Sequence, residues 1–140
     1  MKCLFILAVL PFVSCSLSPK SDARGADHYF LTEVKPVLQE QCLRCHNGTL
    51  PPPALNLTSK NAAFRTNARG QQYIVPGKPD LSLMVTAVQR MGTHPKLMPR
   101  SDVSLTDMQI GMLREWIEDG AYWPEGPAGN LHPQRSREHP

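Results

Sequence analysis

Cys42-Leu43-Arg44-Cys45-His46 is the stretch whose reading decides the fold. Its C-x-x-C-H spacing is that of a c-type haem attachment site. Two thiols one helical turn apart can add to the two vinyl groups of a porphyrin and form thioethers. The histidine that follows is then held beneath the iron as an axial ligand. The same five residues have other uses. A thioredoxin-like redox pair wants a βαβ setting, and no such alternation surrounds this one. A zinc site wants about four ligands, with a second Cys or His pair at matching spacing. A disulfide is open to an exported chain.

Upstream of the motif, Leu31, Val34, Leu38 and Cys42 recur at three- and four-residue intervals, which predicts a helix leading into it. Pro36 is tolerable if the regular helix starts close to Thr32, because first-turn N–H groups have no intrahelical partner. Residues 15–27 are small and polar, and read as a flexible tether. Before them, Lys2 precedes an apolar run from Cys3 to Val13, which with Ser14 reads as a secretory signal over 1–14, too short for an ordinary membrane span. Phe12-Val13-Ser14-Cys15 resembles a bacterial lipobox, which implies cleavage before Cys15 and lipid on that thiol. The four cysteines are then accounted for: Cys3 leaves with the signal, Cys15 takes lipid, and Cys42 and Cys45 take haem. Export agrees, since c-type haem is attached outside the cytoplasm.

Downstream, Asn47-Gly48 is a turn and Pro51-Pro52-Pro53 is extended. Thr58 or Ser59 can cap a short helix through Ala62, Ala63 and Phe64. Asp80 or Ser82 can cap a second, with an apolar face of Leu83, Met84, Ala87, Val88 and Met91. A loop from Thr93 to Val103 follows. The last helix is the clearest: Ser104 or Thr106 caps it, Met108, Met112, Leu113, Trp116 and Ile117 form its stripe, and Gly120 ends it. The domain spans 28–124, and the polar, Pro- and Gly-bearing tail 125–140 reads as disordered.

The chain has 140 residues, room for one domain, and 41% of them are hydrophobic, so its core is small and a covalent haem would enlarge it. The net charge of +3 is too weak to imply nucleic acid, and no basic stretch is interleaved with aromatics. Asn47-Gly48-Thr49 and Asn56-Leu57-Thr58 match the glycosylation sequon, and chance is the better reading of both.

An iron held by His46 needs a sixth ligand or stays open. Met84, Met91, Met108 and Met112 sit on helix stripes and read as core. His132 and His139 lie in the tail, and His28 precedes the first helix. Met98 differs, because it stands in a loop where Pro99 forces it toward an extended conformation that can present the thioether. His94 competes with it. A His/Met pair would raise the reduction potential and a bis-His pair would lower it.

Together these residues resemble the class I c-type cytochrome domain, in the subtype common in planctomycetes and verrucomicrobia. The resemblance runs from about Tyr29 to Pro124. Its pieces are Val34-Lys35-Pro36-Val37-Leu38 ahead of the haem motif, Leu55-x-Leu57 with Ser59, and Ile74-Val75-Pro76-Gly77-Lys78-Pro79-Asp80 with Ser82-Leu83. Met98-Pro99, Leu105-Thr106-x-x-Gln109-Ile110 and Trp116-Ile117-x-x-Gly120-Ala121-x-Trp123-Pro124 complete it. The resemblance implies an all-α, cytochrome c-like fold in which the first and last helices cross and cover one covalent haem c. It carries His46 over as proximal ligand and Met98 as distal ligand. Met-Pro-Pro is frequent at the distal loop, whereas this chain has Met98-Pro99-Arg100.

The expected function is single-electron transfer between a donor and an acceptor redox protein, on the periplasmic side of a membrane reached through the N-terminal lipid. The outer membrane is favoured, with a soluble periplasmic protein as the alternative. A haem-based sensor, or a fixed haem subunit of a larger dehydrogenase, is the other functional reading. Catalysis is disfavoured: dihaem peroxidases need two attachment motifs, and this chain has one.

Overall fold

The computed structural model describes residues 23–49, 54–89, 98 and 105–133. The expected signal, the lipid site at Cys15 and the candidate ligand His94 lie outside these residues. Among the described residues the fold is helical with no strand; Thr66 and Gln72 form an isolated antiparallel bridge.

The first helical run is unbroken from 23 to 42. It comprises α1 (Ala23–Tyr29), a π-helical stretch (Phe30–Val34), α2 (Lys35–Val37) and a second π-helical stretch (Leu38–Cys42). Helix therefore takes in the last five residues, 23–27, of the segment expected to be tether. The run passes through Pro36, which lacks the N–H that a regular ladder would use, and the wider π geometry flanks that residue on both sides. Wider turns also move the buried face. Phe30, Val34, Leu38 and Leu43 are fully buried, while Leu31 faces solvent. The expected stripe had Leu31 in place of Phe30; a 3.6-residue period admits both, since they lie about 40° (Phe30) and 60° (Leu31) from Val34 on opposite sides.

α3 (Lys60–Ala63) follows Ser59 as expected, and α4 (Leu83–Val88) follows Ser82. Ser82 does not cap α4 through its side chain. It is fully buried, and its hydroxyl accepts from the Val75 N–H (2.9 Å) and donates to the Lys78 carbonyl (3.0 Å). It thus locks the turn that Gly77 makes at φ +75°, and the Gly77 N–H in turn reaches the Ile117 carbonyl at 2.7 Å. A short 3-10 helix, Pro79–Leu81, is pinned to the last helix by the Arg114–Asp80 ion pair at 2.7 Å.

α5 (Asp107–Glu118) carries the strongest local signals. Thr106 and Gln109 form a reciprocal capping box at its start. At its end Gly120 (φ +103°) donates to Ile117 and Ala121 donates to Trp116, the paired bonds of a Schellman motif. Leu113, Trp116 and Ile117 are buried, but Met108 is 84% exposed, against the expectation that it belongs to the core stripe. Met108 is five residues before Leu113 and nine before Ile117, which at 3.6 residues per turn places it about 140° and 180° away from them.

The first and last helices meet through aromatic rings. Phe30 lies 6.0 Å from Trp116 and 4.8 Å from Trp123, measured between centroids, and Phe64 meets Trp123 edge-on at 6.2 Å. Ring pairs at these separations add to the area they bury.

The expected disordered tail is, in its first part, ordered. A 3-10 turn forms at Gly126–Gly129, and Leu131 is buried in the main core. Backbone hydrogen bonding holds this segment, and its Gly- and Pro-bearing composition carries no sign of that.

Candidate haem-attachment site

Cys42 ends the first helical run, and the chain continues for one more turn. The N–H groups of Cys45 and His46 both reach the Cys42 carbonyl, at 3.2 and 2.9 Å. Leu43 anchors this turn by plunging into the core, a role the spacing of the motif does not disclose. Cys42 packs against the core cluster and Cys45 is exposed. Both thiols are free, so the pair is not a disulfide. Burial pushes the Cys42 thiol up to about 12.

His46 is half-buried, and its Nδ1 lies 3.0 Å from the Leu55 carbonyl oxygen. A carbonyl only accepts, so Nδ1 carries a proton, and in the neutral imidazole Nε2 then keeps its lone pair. That is the arrangement in which a histidine binds a metal, its far nitrogen fixed by the backbone. The loop supplying this carbonyl is itself tied to the motif by the Leu57 N–H, which donates to the His46 carbonyl at 2.8 Å. Leu55 was legible as part of a Leu-x-Leu pattern; that its carbonyl orients the imidazole was not.

The two sequon-like triplets have a structural explanation. Asn47 Oδ1 accepts from the N–H and hydroxyl of Thr49, and Asn56 Oδ1 does the same for Thr58. These are Asx turns that shape the loop after His46. Gly48, the middle residue of the first, has φ +88°, and a Cβ there would crowd Asn56 Nδ2 at 3.0 Å.

Met98 is half-buried against the core cluster, and its N–H donates to the Ala87 carbonyl near the end of α4 at 2.9 Å. Residues 90–97 and 99–104 are outside the described set. Met84 is core, and Met112 packs against the core, as expected. Among the described residues, no group of three or more His, Cys, Asp or Glu gathers as a metal cluster, so the zinc reading of the motif gains no further ligands. None of their helices is long and apolar enough to cross a membrane.

The donor set fits a covalently held haem. Two free thiols and an imidazole with a free Nε2 follow one another on one helical turn, at the edge of an apolar core. Residues 42–102 match the family described as Planctomycete cytochrome C, a span that begins at the first cysteine of the motif and includes Met98. No curated protein and no solved structure is detectably similar to the chain. Residues 42–102 are thus similar to a c-type cytochrome family of this planctomycete kind, a match that supports such a domain, implies covalently bound haem c and points to electron transfer rather than catalysis.

Proposed function

We propose that the chain is a monohaem electron carrier, exported and tethered by lipid on Cys15 to the periplasmic side of a membrane. The observation that carries this is the His46 Nδ1–Leu55 carbonyl bond, which leaves Nε2 as the donor the iron requires. Cys42 and Cys45 form the two thioethers. One C-x-x-C-H occurs in the 140 residues, which supports a single haem. Met98 supplies the sixth ligand, from a backbone position held by the end of α4.

When bound, haem c supplies a one-electron iron couple. The residues here do the rest. His46 and Met98 together exclude an outside ligand, and the thioether favours ferrous iron. Leu43, Leu55 and Leu57, buried beside the motif, would back the bound group with apolar surface. The short tether lets the domain reach a donor and an acceptor near one membrane, with the outer membrane favoured.

The haem content of the purified, matured protein tests the first half of this reading. One haem per chain that resists extraction from the wild type, and is lost or extractable in Cys42→Ala/Cys45→Ala, is the expected result. Two haems, or none, would overturn it. Anchoring is tested by Cys15→Ser, which should move the protein from the membrane fraction to the soluble periplasm.

A further inference from the structure

The segment after Trp123 is bonded to three parts of the molecule. The Gly129 carbonyl accepts from Trp123 Nε1 at 2.7 Å. The Ala128 carbonyl accepts from Lys35 Nζ at 2.7 Å, and the His132 carbonyl from Gln39 Nε2 at 2.9 Å. The Leu131 N–H donates to the Thr58 carbonyl at 3.0 Å, with the Leu131 side chain buried. Gly129 leaves no room for a side chain, since a Cβ there would stand 1.9 Å from the Pro124 carbonyl oxygen. Residues 126–132 are therefore a strap, fastened to the first helical run on one side and to the loop 55–58 on the other.

That loop holds the imidazole. Leu55 offers its carbonyl to His46 Nδ1, and Thr58 is three residues further on. Its backbone is tied to other segments through the Leu57–His46 bond and the Leu131–Thr58 bond. The Asx turn at Asn56 closes residues 56–58, which carry both fastenings. A displacement of Thr58 is thus passed to Leu55 with little slack. The strap lies wholly outside the 42–102 span shared with the family.

We infer that the strap is a positioning element for the proximal histidine: by holding Thr58 it fixes the Leu55 carbonyl against Nδ1–H and so sets how strongly the imidazole donates to iron. This rests on His46 being the iron ligand. The hydrogen bond at the outer nitrogen raises the basicity of the inner one. A looser bond makes the imidazole a weaker donor, which disfavours ferric iron and raises the reduction potential.

The test uses the full-length, haem-loaded protein and three ways of loosening the strap. These are Lys35→Ala/Gln39→Ala, which removes two fastenings, Gly129→Ala, which forces the turn apart, and a stop after Glu125. The readouts are the reduction potential and the exchange rate of the His46 Nδ1 proton, followed by NMR in the ferrous state. Ile74→Ala, a buried truncation elsewhere, is the control for lost stability. The expected result is exchange faster by about tenfold or more, with a higher potential, in the strap variants and not in the control. Strap variants as destabilised as Ile74→Ala, but with wild-type exchange and potential, would overturn the inference and reduce the strap to packing. If the truncated chain fails to load haem, the side-chain pair decides. A His46→Ala protein with an unchanged spectrum would instead bring down the ligand assignment, and the inference with it.

Discussion

The Nδ1 atom of His46 sits 3.0 Å from the carbonyl oxygen of Leu55, nine residues along the chain. This one contact fixes the tautomer, the ring plane and the direction of the free lone pair. It also makes the loop after the motif part of the site. His46→Gly should therefore leave a cavity that added imidazole can fill. The expected outcome is a weak-field ferric spectrum that returns toward the wild-type form as imidazole is titrated in. No response to imidazole would place the proximal ligand elsewhere.

Trp123 is the hub of the aromatic cluster, and its buried Nε1 donates to the Gly129 carbonyl. Trp123→Phe keeps much of the ring but leaves that carbonyl unpaired, at a cost of about 1–3 kcal/mol. Trp123→Ala should cost about 3–5 kcal/mol. Denaturant unfolding of both variants checks the ranking; a Trp123→Phe protein as stable as the wild type would show that the hydrogen bond contributes nothing measurable.

Ser82 gives a second polar prediction. Its buried hydroxyl serves the Val75 N–H and the Lys78 carbonyl together. Ser82→Ala should lower stability by about 1–3 kcal/mol, because both backbone groups lose their partner away from water. Ser82→Thr retains the hydroxyl and adds a methyl to a site with no exposure, so its loss would measure crowding. A neutral Ser82→Ala would contradict the structure of the 75–82 turn.

Much of this was legible beforehand. A cap at Thr106, one of the two residues the sequence offers, and the Gly120 stop are local signals, and each is in place. Phe30 was missed because a 3.6-residue period admits both Phe30 and Leu31, one on either side of Val34, and spacing alone does not choose between them. The strap was missed for a different reason. Its fastenings are main-chain carbonyls of Ala128, Gly129 and His132, which have no signature in side-chain type. At the site, the residue types were readable, but the Leu55 carbonyl belongs to the same blind class.

Tyr29 joins the two terminal helices by donating its hydroxyl to Glu115 Oε2 at 3.2 Å. Burial, and then the Glu115 carboxylate, push its phenol from the ordinary 10 up to about 12. A phenol that ionises later in the folded than in the unfolded state contributes stability that is fully present below pH 10. That contribution is lost as pH rises from 10 through about 12. The stability difference between wild type and Tyr29→Phe should accordingly shrink over this window. A difference that stays constant from pH 9 to about 12 would mean that the phenol titrates normally.

The most direct test of the central claim, a His/Met haem built for electron transfer, is the optical spectrum of the matured ferric protein beside Met98→Ala. A weak long-wavelength band from sulfur-to-iron charge transfer, present in the wild type and absent in the variant, is the predicted result. It should be accompanied by a ferrous form that resists carbon monoxide. A wild type without that band, whose ferrous form takes up carbon monoxide at once, would contradict the account and favour a sensor.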